Sequence, residues 1–321
     1  MKIRILKGTN TIGGAITEIT SKQAKIILDF RHRFRRYIKV TCNRGLNTRK
    51  TKLQCSFYSD TGHQDHYGRI NEVLPEIPVY FSNIAKQIIE NVFCFSKTKG
   101  KFTRDTTDLK DGVPVIIKDI KVTPFVVDHS MYNAYMLLVE TEGKKILFTS
   151  DFRNHSYKGK LLPKTLKKIG KVDICICEGT TFSRPREEHQ MTEQELVNEI
   201  IKQTKGYSQI LCLTSTTNID RIVTLQKVAN RTHRTFIHDL LLEQVLKAVT
   251  QKIPNALNSN KIYVYMPTYL YWLRNKPEYR QFIEPYESRM KLTGRKLRER
   301  KFHNERSCIY VKRYRETKAK K

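Results

Sequence analysis

The sequence Thr61-Gly-His-Gln-Asp-His-Tyr-Gly68 places two histidines and one aspartate within four positions, directly after a predicted strand over Leu53–Tyr58. Imidazole and carboxylate groups are ligands that suit Zn²⁺ and Mn²⁺. His63 and His66 cannot share one face of a strand because their spacing is odd, so we expect a loop in which they converge. Asp65 between them can face a second ion. The stretch therefore predicts one metal ion or a close pair of ions.

Acidic and imidazole side chains also stand at the ends of three later predicted strands: His129, Asp151 and Glu178. Two divalent ions roughly 3.5–4 Å apart can generate hydroxide and clamp the attacking and leaving oxygens of a phosphodiester. That chemistry needs a carboxylate able to bridge the ions, which Asp151 could supply. Ligands displayed from successive strand ends therefore predict a metal-dependent hydrolase.

Length and hydropathy bound the class of protein. A chain of 321 residues is long enough for two domains that each bury a core. It has no apolar run near the roughly 18 residues of a membrane span, and residues 1–7 lack the apolar core of a secretory signal. We therefore predict a cytoplasmic protein with no membrane partner.

The cysteines do not suggest a zinc ribbon or a disulfide framework. There are seven of them, and no C-x-x-C pair occurs. We expect buried, reduced thiols. Cys175 and Cys177, two positions apart in a predicted strand, should point to the same face.

Positive charge is concentrated in two segments of the chain. The net charge is +29; residues 30–59 hold nine basic and no acidic residues, and residues 289–321 hold fourteen basic and three acidic ones. Such segments either grip RNA phosphates or are solvated and poorly ordered, and charge alone does not separate the two. We expect an off-pattern basic segment at 31–59 and a basic C-terminal tail at 289–321.

Hydrophobic patterning predicts two domains before that tail. Residues 1–182 are rich in strands, with one helix over Asn83–Phe93 capped by Ser82 and another near Leu162–Ile169. Residues 183–288 alternate strands with helices after a capping box at 192–195, which predicts a parallel α/β domain. The predicted strands are Lys2–Leu6, Ala15–Ile19, Lys25–Phe30, Leu53–Tyr58, Val113–Ile117, Ile120–Val127, Ala134–Glu140, Lys145–Phe148, Asp173–Cys177, Gln209–Leu213 and Thr235–His238.

Six motifs carry a family resemblance: Thr9-Asn-Thr-Ile-Gly-Gly-Ala-Ile-Thr17, His63-Gln-Asp-His66-Tyr-Gly, Val127-Asp-His129-Ser, Thr149-Ser-Asp151-Phe-Arg, Cys177-Glu178-Gly-Thr-Thr and Ser215-Thr-Thr-Asn218-Ile-Asp220-Arg221. In this order they resemble the metallo-β-lactamase superfamily. More narrowly, they resemble its β-CASP branch, which includes ribonuclease J and related RNA-processing nucleases. The resemblance covers most of residues 1–30 and 61–250.

The resemblance implies a mixed α/β fold, namely an αββα metallo-β-lactamase sandwich with a β-CASP-like α/β insert that covers the site. It also implies two divalent metal ions, Zn²⁺ or Mn²⁺, and RNA as substrate. By this resemblance His63 and His129 would bind one ion, and Asp65 and His66 the other. Asp151 would bridge the two ions, and Asp65 would position the attacking water.

Four other residues gain expected roles from the same resemblance. Glu178 matches the first acidic motif of the β-CASP branch, which supports a catalytic histidine. Ser215, Asn218 and Arg221 would contact single-stranded nucleic acid, although Asn218 could equally cap the helix that follows it. A homodimer is a further expectation.

Two departures from the family pattern leave the activity open. The family run His-x-His-x-Asp-His begins here with Thr61, and nothing around His303 resembles the histidine motifs of the returning chain, so we expect a truncated C-terminal part. A shifted reading frame across residues 31–61 would explain the first departure, and the coding DNA tests it. The main alternative to an RNA phosphodiesterase is an inactive or fragmentary homologue that at most binds nucleic acid. A hydrolase of small esters is a third possibility, against which the β-CASP-like segment argues.

Overall fold

The computed structural model describes residues 1–9, 16–29, 54–59, 61–95, 102–181, 190–249, 253–266, 273–290, 292–293 and 308–313. The chain forms two compact units. Unit 1 comprises Met1–Phe93 and Thr98–Gln190, and unit 2 comprises Cys94–Lys97 and Met191–Lys321. Most of the predicted basic segment at 31–59 lies outside the described residues, as do positions 10–15 of the first motif.

The described part of unit 1 contains two β-sheets. Their strands are β1 (Lys2–Lys7), β2 (Ile16–Thr20), β3 (Ala24–Leu28), β4 (Gln54–Tyr58), β5 (Val79–Phe81), β6 (Thr107–Asp108), β7 (Val115–Ile117), β8 (Ile120–Val127), β9 (Ala134–Thr141), β10 (Lys144–Phe148) and β11 (Ile174–Ile176). The first sheet has the order β1-β2-β3-β4-β5-β6, antiparallel up to β3 and parallel from β3 onward. The second has the order β11-β10-β9-β8-β7, and β10 and β11 are its parallel pair.

The two sheets of unit 1 share one hydrophobic core. Ile19, Leu28 and Tyr58 of the first sheet belong to the same buried cluster as Tyr135 and Ile146 of the second, and each is at most 1% exposed. Burial of such a side chain contributes about 1.5–3 kcal/mol. Because side chains alternate along a strand, residues of opposite parity in β8 to β10 remain for the other face of the second sheet.

That other face is covered by a helix. The α-helices in the described part of unit 1 are α1 (Gln64–Tyr67), α2 (Asn83–Phe95) and α3 (Leu162–Ile169). Ile169 of α3 packs with Val127 and Leu147 in a second buried cluster. A helix on a sheet and a sheet on a sheet give stacked layers, and the strand ends of both sheets can then contribute to one site.

Unit 2 contains a parallel sheet in the order β12-β16-β13-β14-β15. The α-helices and strands among its described residues are α4 (Glu193–Gln203), β12 (Gln209–Thr214), α5 (Ile219–Arg231), β13 (Thr235–Asp239), α6 (Leu240–Val249), β14 (Ile262–Met266), α7 (Pro277–Ile283), β15 (Leu292–Thr293) and β16 (Cys308–Arg313). The predicted capping box is present at the start of α4. Thr192 Oγ1 accepts the Glu195 N–H at 3.2 Å, and the Glu195 carboxylate accepts the Thr192 N–H at 2.8 Å.

The mixed α/β fold class predicted from the sequence is confirmed, and most predicted strands and helices occur within a few residues of their expected bounds. Ser82 caps α2 as predicted, since its Oγ accepts the Ala85 N–H at 3.2 Å. Within the ranges that the structure describes, no helix combines the length and apolar character needed to cross a membrane.

The structure differs from two expectations. Residues 289–321 were expected to form a basic tail, yet Cys308–Arg313 forms a strand between β12 and β13. Cys175 and Cys177 were expected to be buried, but both thiols are exposed. The two cysteines stand at alternate positions, as expected, and β11 is an edge strand of its sheet.

Candidate metal and catalytic site

The histidine run lies in a short helix rather than in the predicted loop. Gln64–Tyr67 forms α1, His63 is its N-cap residue, and the His66 N–H donates to the His63 carbonyl at 2.9 Å. One helical turn directs the two imidazoles to different neighbours, His63 to His129 and His66 to two carboxylates. The Asp65 backbone is part of this helix, but its side chain lies outside the description.

His63 faces His129. His63 Nδ1 lies 2.8 Å from His129 Nε2, and the two rings meet edge to face with their centroids 4.6 Å apart. Ser130 Oγ lies 3.2 Å from the other ring nitrogen of His63. Both histidines are half-buried. Two imidazole nitrogens therefore meet in a hydrogen bond near the ends of β4 and β8, one donating and the other accepting.

His66 lies between two carboxylates. Its Nδ1 is 2.8 Å from Asp29 Oδ2, and its Nε2 is 3.2 Å from Asp151 Oδ2. His66 and Asp29 are each 2% exposed, whereas about a third of the Asp151 side chain is exposed. The buried carboxylate thus fixes the ring, and the ring presents its outer nitrogen to the accessible carboxylate.

Asp29 is a site residue that the sequence analysis did not identify. It follows β3, its N–H donates to the Tyr58 carbonyl at 2.9 Å, and its φ is +60°. An aspartate in the left-handed region is several-fold more frequent than most residues there, and such positions often lie at functional sites. Its place after an apolar strand, like that of His129 and Asp151, was the signal that could have revealed it.

The turn that carries Asp151 is fixed by Thr149 and Glu178. The Thr149 N–H donates to the Ile176 carbonyl at 3.0 Å, and Ser150 has a φ of +53°. Glu178 Oε1 accepts the Phe152 N–H at 2.9 Å, and the Glu178 N–H reaches Thr149 Oγ1 at 3.4 Å. Glu178 therefore holds the backbone on either side of Asp151.

A second buried carboxylate holds the segment of His129. Asp128 is 1% exposed and accepts hydrogen bonds from Arg153 Nε at 3.0 Å and from the Ser156 N–H at 2.8 Å. The Arg153 guanidinium also donates to the His129 carbonyl at 3.3 Å. A charge-assisted network of this kind is stronger than neutral hydrogen bonds, and it joins the turn after β8 to the turn after β10.

The described histidine and aspartate side chains are of the types that bind a metal ion, but they are too few for a complete site. Two nitrogen atoms that bind one tetrahedral zinc lie roughly 3.3 Å apart, so a small rotation would open the His63–His129 pair around an ion. A catalytic zinc commonly has three protein ligands. In the part of the chain that the structure describes, no group of three or more His, Cys, Asp or Glu side chains could hold a metal ion. These residues do not complete a metal centre by themselves.

Thr61 occupies the position of the first family histidine. The residue is 1% exposed, and its hydroxyl has no hydrogen-bond partner among the described residues. A buried hydroxyl without a partner is unfavourable by about 1–3 kcal/mol. A threonine at this position supplies no ligand nitrogen.

The three residues predicted to contact nucleic acid each have a partner in unit 2. Ser215 Oγ lies 2.9 Å from Thr217 Oγ1, and Asn218 caps α5 by accepting the Arg221 N–H at 3.4 Å. The Arg221 guanidinium pairs at 2.9 Å with Glu193, whose side chain is 1% exposed. All three follow the carboxyl end of β12, the edge of an open parallel sheet at which ligands usually bind.

Comparisons with known proteins give a few distant relatives. No protein-family model matches the sequence. The chain is 26% identical over 198 residues to ribonuclease J of Sinorhizobium meliloti, a match that covers 58% of this chain and 33% of that protein. It is 27% identical over 175 residues to an uncharacterised protein of Mycoplasma genitalium, covering 50% of this chain and 30% of that one. The chain spans about a third of the length of the curated relatives it matches.

Among solved structures, a protein of unknown function from Enterococcus faecalis shares the fold. Its TM-score is 0.74 at 20% identity, and the match covers 97% of this chain and 76% of that one. A metallo-β-lactamase from Cronobacter sakazakii matches with a TM-score of 0.37 at 13% identity, covering 68% of this chain and 85% of that one. A metallo-β-lactamase-fold protein from Bacillus subtilis matches with a TM-score of 0.38 at 14% identity, covering 71% of this chain and 91% of that one. The neighbours thus include metallo-β-lactamase-fold proteins.

Proposed function

We propose that the chain is a metal-dependent hydrolase of the metallo-β-lactamase type, in its β-CASP branch, that cleaves RNA phosphodiesters. The observation that carries the proposal is the pair of facing donor sets at the strand ends of unit 1. His63 meets His129 at 2.8 Å, and His66 meets Asp151 at 3.2 Å. These pairs coincide with the division of ligands between two ions that the family resemblance implies.

In this proposal His63 and His129 would hold one divalent ion, Asp65 and His66 would hold the other, and Asp151 would be shared between them. Zn²⁺ or Mn²⁺ suits this mixture of imidazole and carboxylate ligands. Divalent ions at such a site polarise a phosphoryl oxygen and lower the pKa of bound water. The described residues do not provide three ligands for one ion, so we expect metal binding to be weaker than at a complete centre.

The neighbouring residues orient the ligands. Asp29 accepts a hydrogen bond from His66 Nδ1 and so would direct Nε2 towards an ion, which is the usual task of a carboxylate behind a metal-binding histidine. Asp128 and Arg153 fix the backbone of His129, and Glu178 fixes the turn of Asp151. For Asp65 we propose the role of positioning the attacking water, and for Glu178 support of a catalytic histidine.

RNA as the substrate class is supported by two observations. One relative is named ribonuclease J, at 26% identity over 58% of this chain. The net charge of +29 favours a polyanionic partner. We propose single-stranded RNA contacts through Ser215, Asn218 and Arg221, and a cytoplasmic location; a homodimer belongs to the same proposal.

A nuclease assay combined with metal analysis tests the function. Purified protein is incubated with single-stranded RNA and Mn²⁺ or Zn²⁺, and the bound metal per chain is measured in parallel. We expect His129→Ala to lower cleavage by more than about 100-fold, because it removes a direct ligand. His233→Asn is the matched control, since His233 is exposed in unit 2 and asparagine tolerates its φ of +54°. Equal cleavage by the two variants, or less than one metal per chain without metal-dependent cleavage, would overturn the enzyme proposal.

The second candidate is a catalytically inactive homologue that at most binds nucleic acid. The absence of a three-ligand group among the described residues and the threonine at position 61 favour it. It predicts RNA binding that is unchanged by His129→Ala and by metal chelation. Metal-dependent cleavage above that of the variant would exclude it.

The variant Thr61→His restores the first histidine of the family run. It tests whether position 61 faces the proposed metal site. We expect Thr61→His to raise zinc affinity by about tenfold or more if the rest of the site is in position, even though the larger side chain costs about 1–3 kcal/mol of stability. Competition with a chelating dye measures the affinity. Thr61→Val is the control, because it only removes the unpartnered hydroxyl and should leave zinc affinity unchanged. Unchanged affinity in Thr61→His would mean that this position does not face the ion.

A further inference from the structure

Unit 2 contains a cavity at the amino-terminal edge of its parallel sheet. Its volume is about 310 Å³, at the lower end of typical ligand pockets. It is bounded by the last turns of α5, by the start of β13 and by the start of β14, whose strands are in register at Phe236 and Ile262. We call it the amino-edge pocket. It lies at the sheet edge opposite the carboxyl end of β12, where the proposed RNA contacts are.

The lining of the amino-edge pocket is cationic. Arg234 and Lys261 line it together with the amides of Asn230 and Asn258, and none of the described lining residues is acidic. Neither cation has an ion-pair partner among the residues that the structure describes. Two positive charges without a balancing carboxylate predict an anionic ligand.

The Arg234 guanidinium is held in place before any ligand binds. It donates to the Tyr207 carbonyl at 2.7 Å and to the Thr204 carbonyl at 3.2 Å. Its Nε is buried and has no hydrogen-bond partner in the described part of the chain. A guanidinium that is already held by two carbonyl groups loses little side-chain freedom when it binds an anion.

The last carbonyl groups of α5 accept hydrogen bonds, which weakens their repulsion of an anion in the pocket. The carbonyls of Val228, Ala229 and Asn230 accept the N–H groups of Thr232, Arg234 and His233, respectively, at 2.8–3.3 Å. The negative end of the helix dipole is thereby reduced at the pocket. Arg234 both closes the helix and contributes its charge to the cavity.

We propose that the amino-edge pocket binds a phosphate monoester, such as that of a nucleotide. A phosphate group carries nearly two negative charges and three acceptor oxygens, which match a guanidinium, an ammonium and two amides. The cavity is larger than a phosphate alone, and the buried Phe236 provides an apolar wall for an attached organic group. The proposal concerns unit 2 alone and stands whether or not unit 1 is a nuclease.

Isothermal titration calorimetry with adenosine monophosphate, inorganic phosphate and adenosine tests this site in a chloride buffer. We expect one molecule of adenosine monophosphate to bind per chain. Lys261→Gln should weaken this binding by about tenfold, since it removes one charge-assisted contact. Lys247→Gln, at an exposed lysine of α6 outside the cavity, is the matched control and should change the affinity by less than about twofold.

The three ligands separate the sources of binding. Phosphate that binds as tightly as the nucleotide, or less tightly, supports a site for the phosphate group, and adenosine alone should not bind. Adenosine binding as tightly as its monophosphate would overturn the proposal. So would equal weakening in the two lysine variants, which would assign the binding to the general charge of the chain, or an absence of saturable binding by both phosphates.

Discussion

His66 has a carboxylate beside each ring nitrogen. Asp29, which is buried, accepts a hydrogen bond from Nδ1–H, because a carboxylate can only accept. Nε2 lies 3.2 Å from a second carboxylate, that of Asp151, which can likewise only accept. A metal ion bound at Nε2 would take the place of the proton in that contact, while Asp29 would hold the ring from its Nδ1 side. The ring is therefore oriented by a neighbour 37 positions earlier in the chain.

Asp29→Asn separates the charge of this neighbour from its geometry. Asparagine keeps an acceptor oxygen and tolerates a φ of +60°, so we expect the free energy of unfolding to change by about 1 kcal/mol or less. The lost negative charge makes His66 a poorer ligand, and zinc affinity should fall about 10–100-fold. Urea unfolding and a chelator competition assay measure the two quantities. Asp105→Asn, at an exposed aspartate of unit 1, is the control; equal zinc affinity in both variants would contradict the assigned role.

The residues of the candidate site could be predicted only where each stands in a recognisable pattern. His63, His66, His129 and Asp151 were predicted to meet because they follow strands or lie in a motif. Asp29 was missed because a single aspartate after a strand has no local signal that names its partner. The fate of the Thr61 hydroxyl, buried without a partner, depends on packing that no sequence pattern reports.

Among the elements, α4 has a start that depends on one side chain. Thr192 and Glu195 satisfy each other's N–H groups in the capping box. We expect Thr192→Ala to destabilise unit 2 by about 1 kcal/mol, because an N–H at the helix start loses its acceptor. Thr192→Ser keeps the hydroxyl, so its free energy of unfolding should stay within a few tenths of a kcal/mol of that of the unsubstituted protein. The urea midpoints of the two variants measure the difference, and identical midpoints would show that the cap contributes nothing.

Two glycines of unit 1 differ in what surrounds them. A Cβ at Gly159, which begins a 3₁₀ turn before α3, would meet the backbone oxygen of Asn154 at 2.1 Å. A Cβ at Gly62 would meet the end of the Met131 side chain at 2.4 Å. A methionine side chain can move aside, whereas a backbone carbonyl in a packed turn cannot move without shifting the chain.

We therefore expect Gly159→Ala to be clearly more destabilising than Gly62→Ala. The first should cost about 2–4 kcal/mol and the second about 1 kcal/mol. Thermal unfolding of both variants, compared with the unsubstituted protein, measures the order. A larger loss in Gly62→Ala would mean that the core around Met131 is more rigid than the flexibility of a methionine implies.

Elements with a strong local period were predictable, and the exceptions have physical reasons. The bounds of β8 and α3 were predicted as they occur. The apolar residues of α3 recur with a helical period, and β8 is an apolar run rich in β-branched residues. Strand β16 was missed because its Cys-Ile-Tyr-Val run is short and ends in Lys312 and Arg313, within a strongly basic segment. Hydrogen bonds to β12 and β13 stabilise this strand, although its own sequence does not predict it.

Across the whole chain, each unit buries charged groups in its own way. Unit 1 buries Asp128 against Arg153. Unit 2 buries His238 and Glu243 completely, with His238 Nε2 3.0 Å from Glu243 Oε1. Burial alone would lower the pKa of His238, but the contact with the Glu243 carboxylate and its charge outweigh burial, so that the pKa is raised.

This raised pKa makes the stability of unit 2 dependent on pH. The contribution of His238 is fully present below the unfolded-state pKa of about 6.5, and it is lost as pH rises through the higher folded-state value. We expect the urea midpoint of unit 2 to fall as pH rises from about 6.5 towards 9. Glu243→Gln removes the charge and should remove most of that slope, although it lowers stability overall. A midpoint that rises with pH in the unsubstituted protein would contradict the assignment.

The position of β16 has a consequence for how unit 2 is made. The strand lies between β12 and β13 although Gln209 and its partner Cys308 are 99 positions apart. During synthesis on a ribosome, β12 and β13 emerge long before the strand that separates them, and they must not pair with each other in the meantime. Closing so long a loop is slow. The half-finished sheet therefore exposes two strand edges for as long as translation takes to reach residue 313, a period in which pairing with another nascent chain competes with folding.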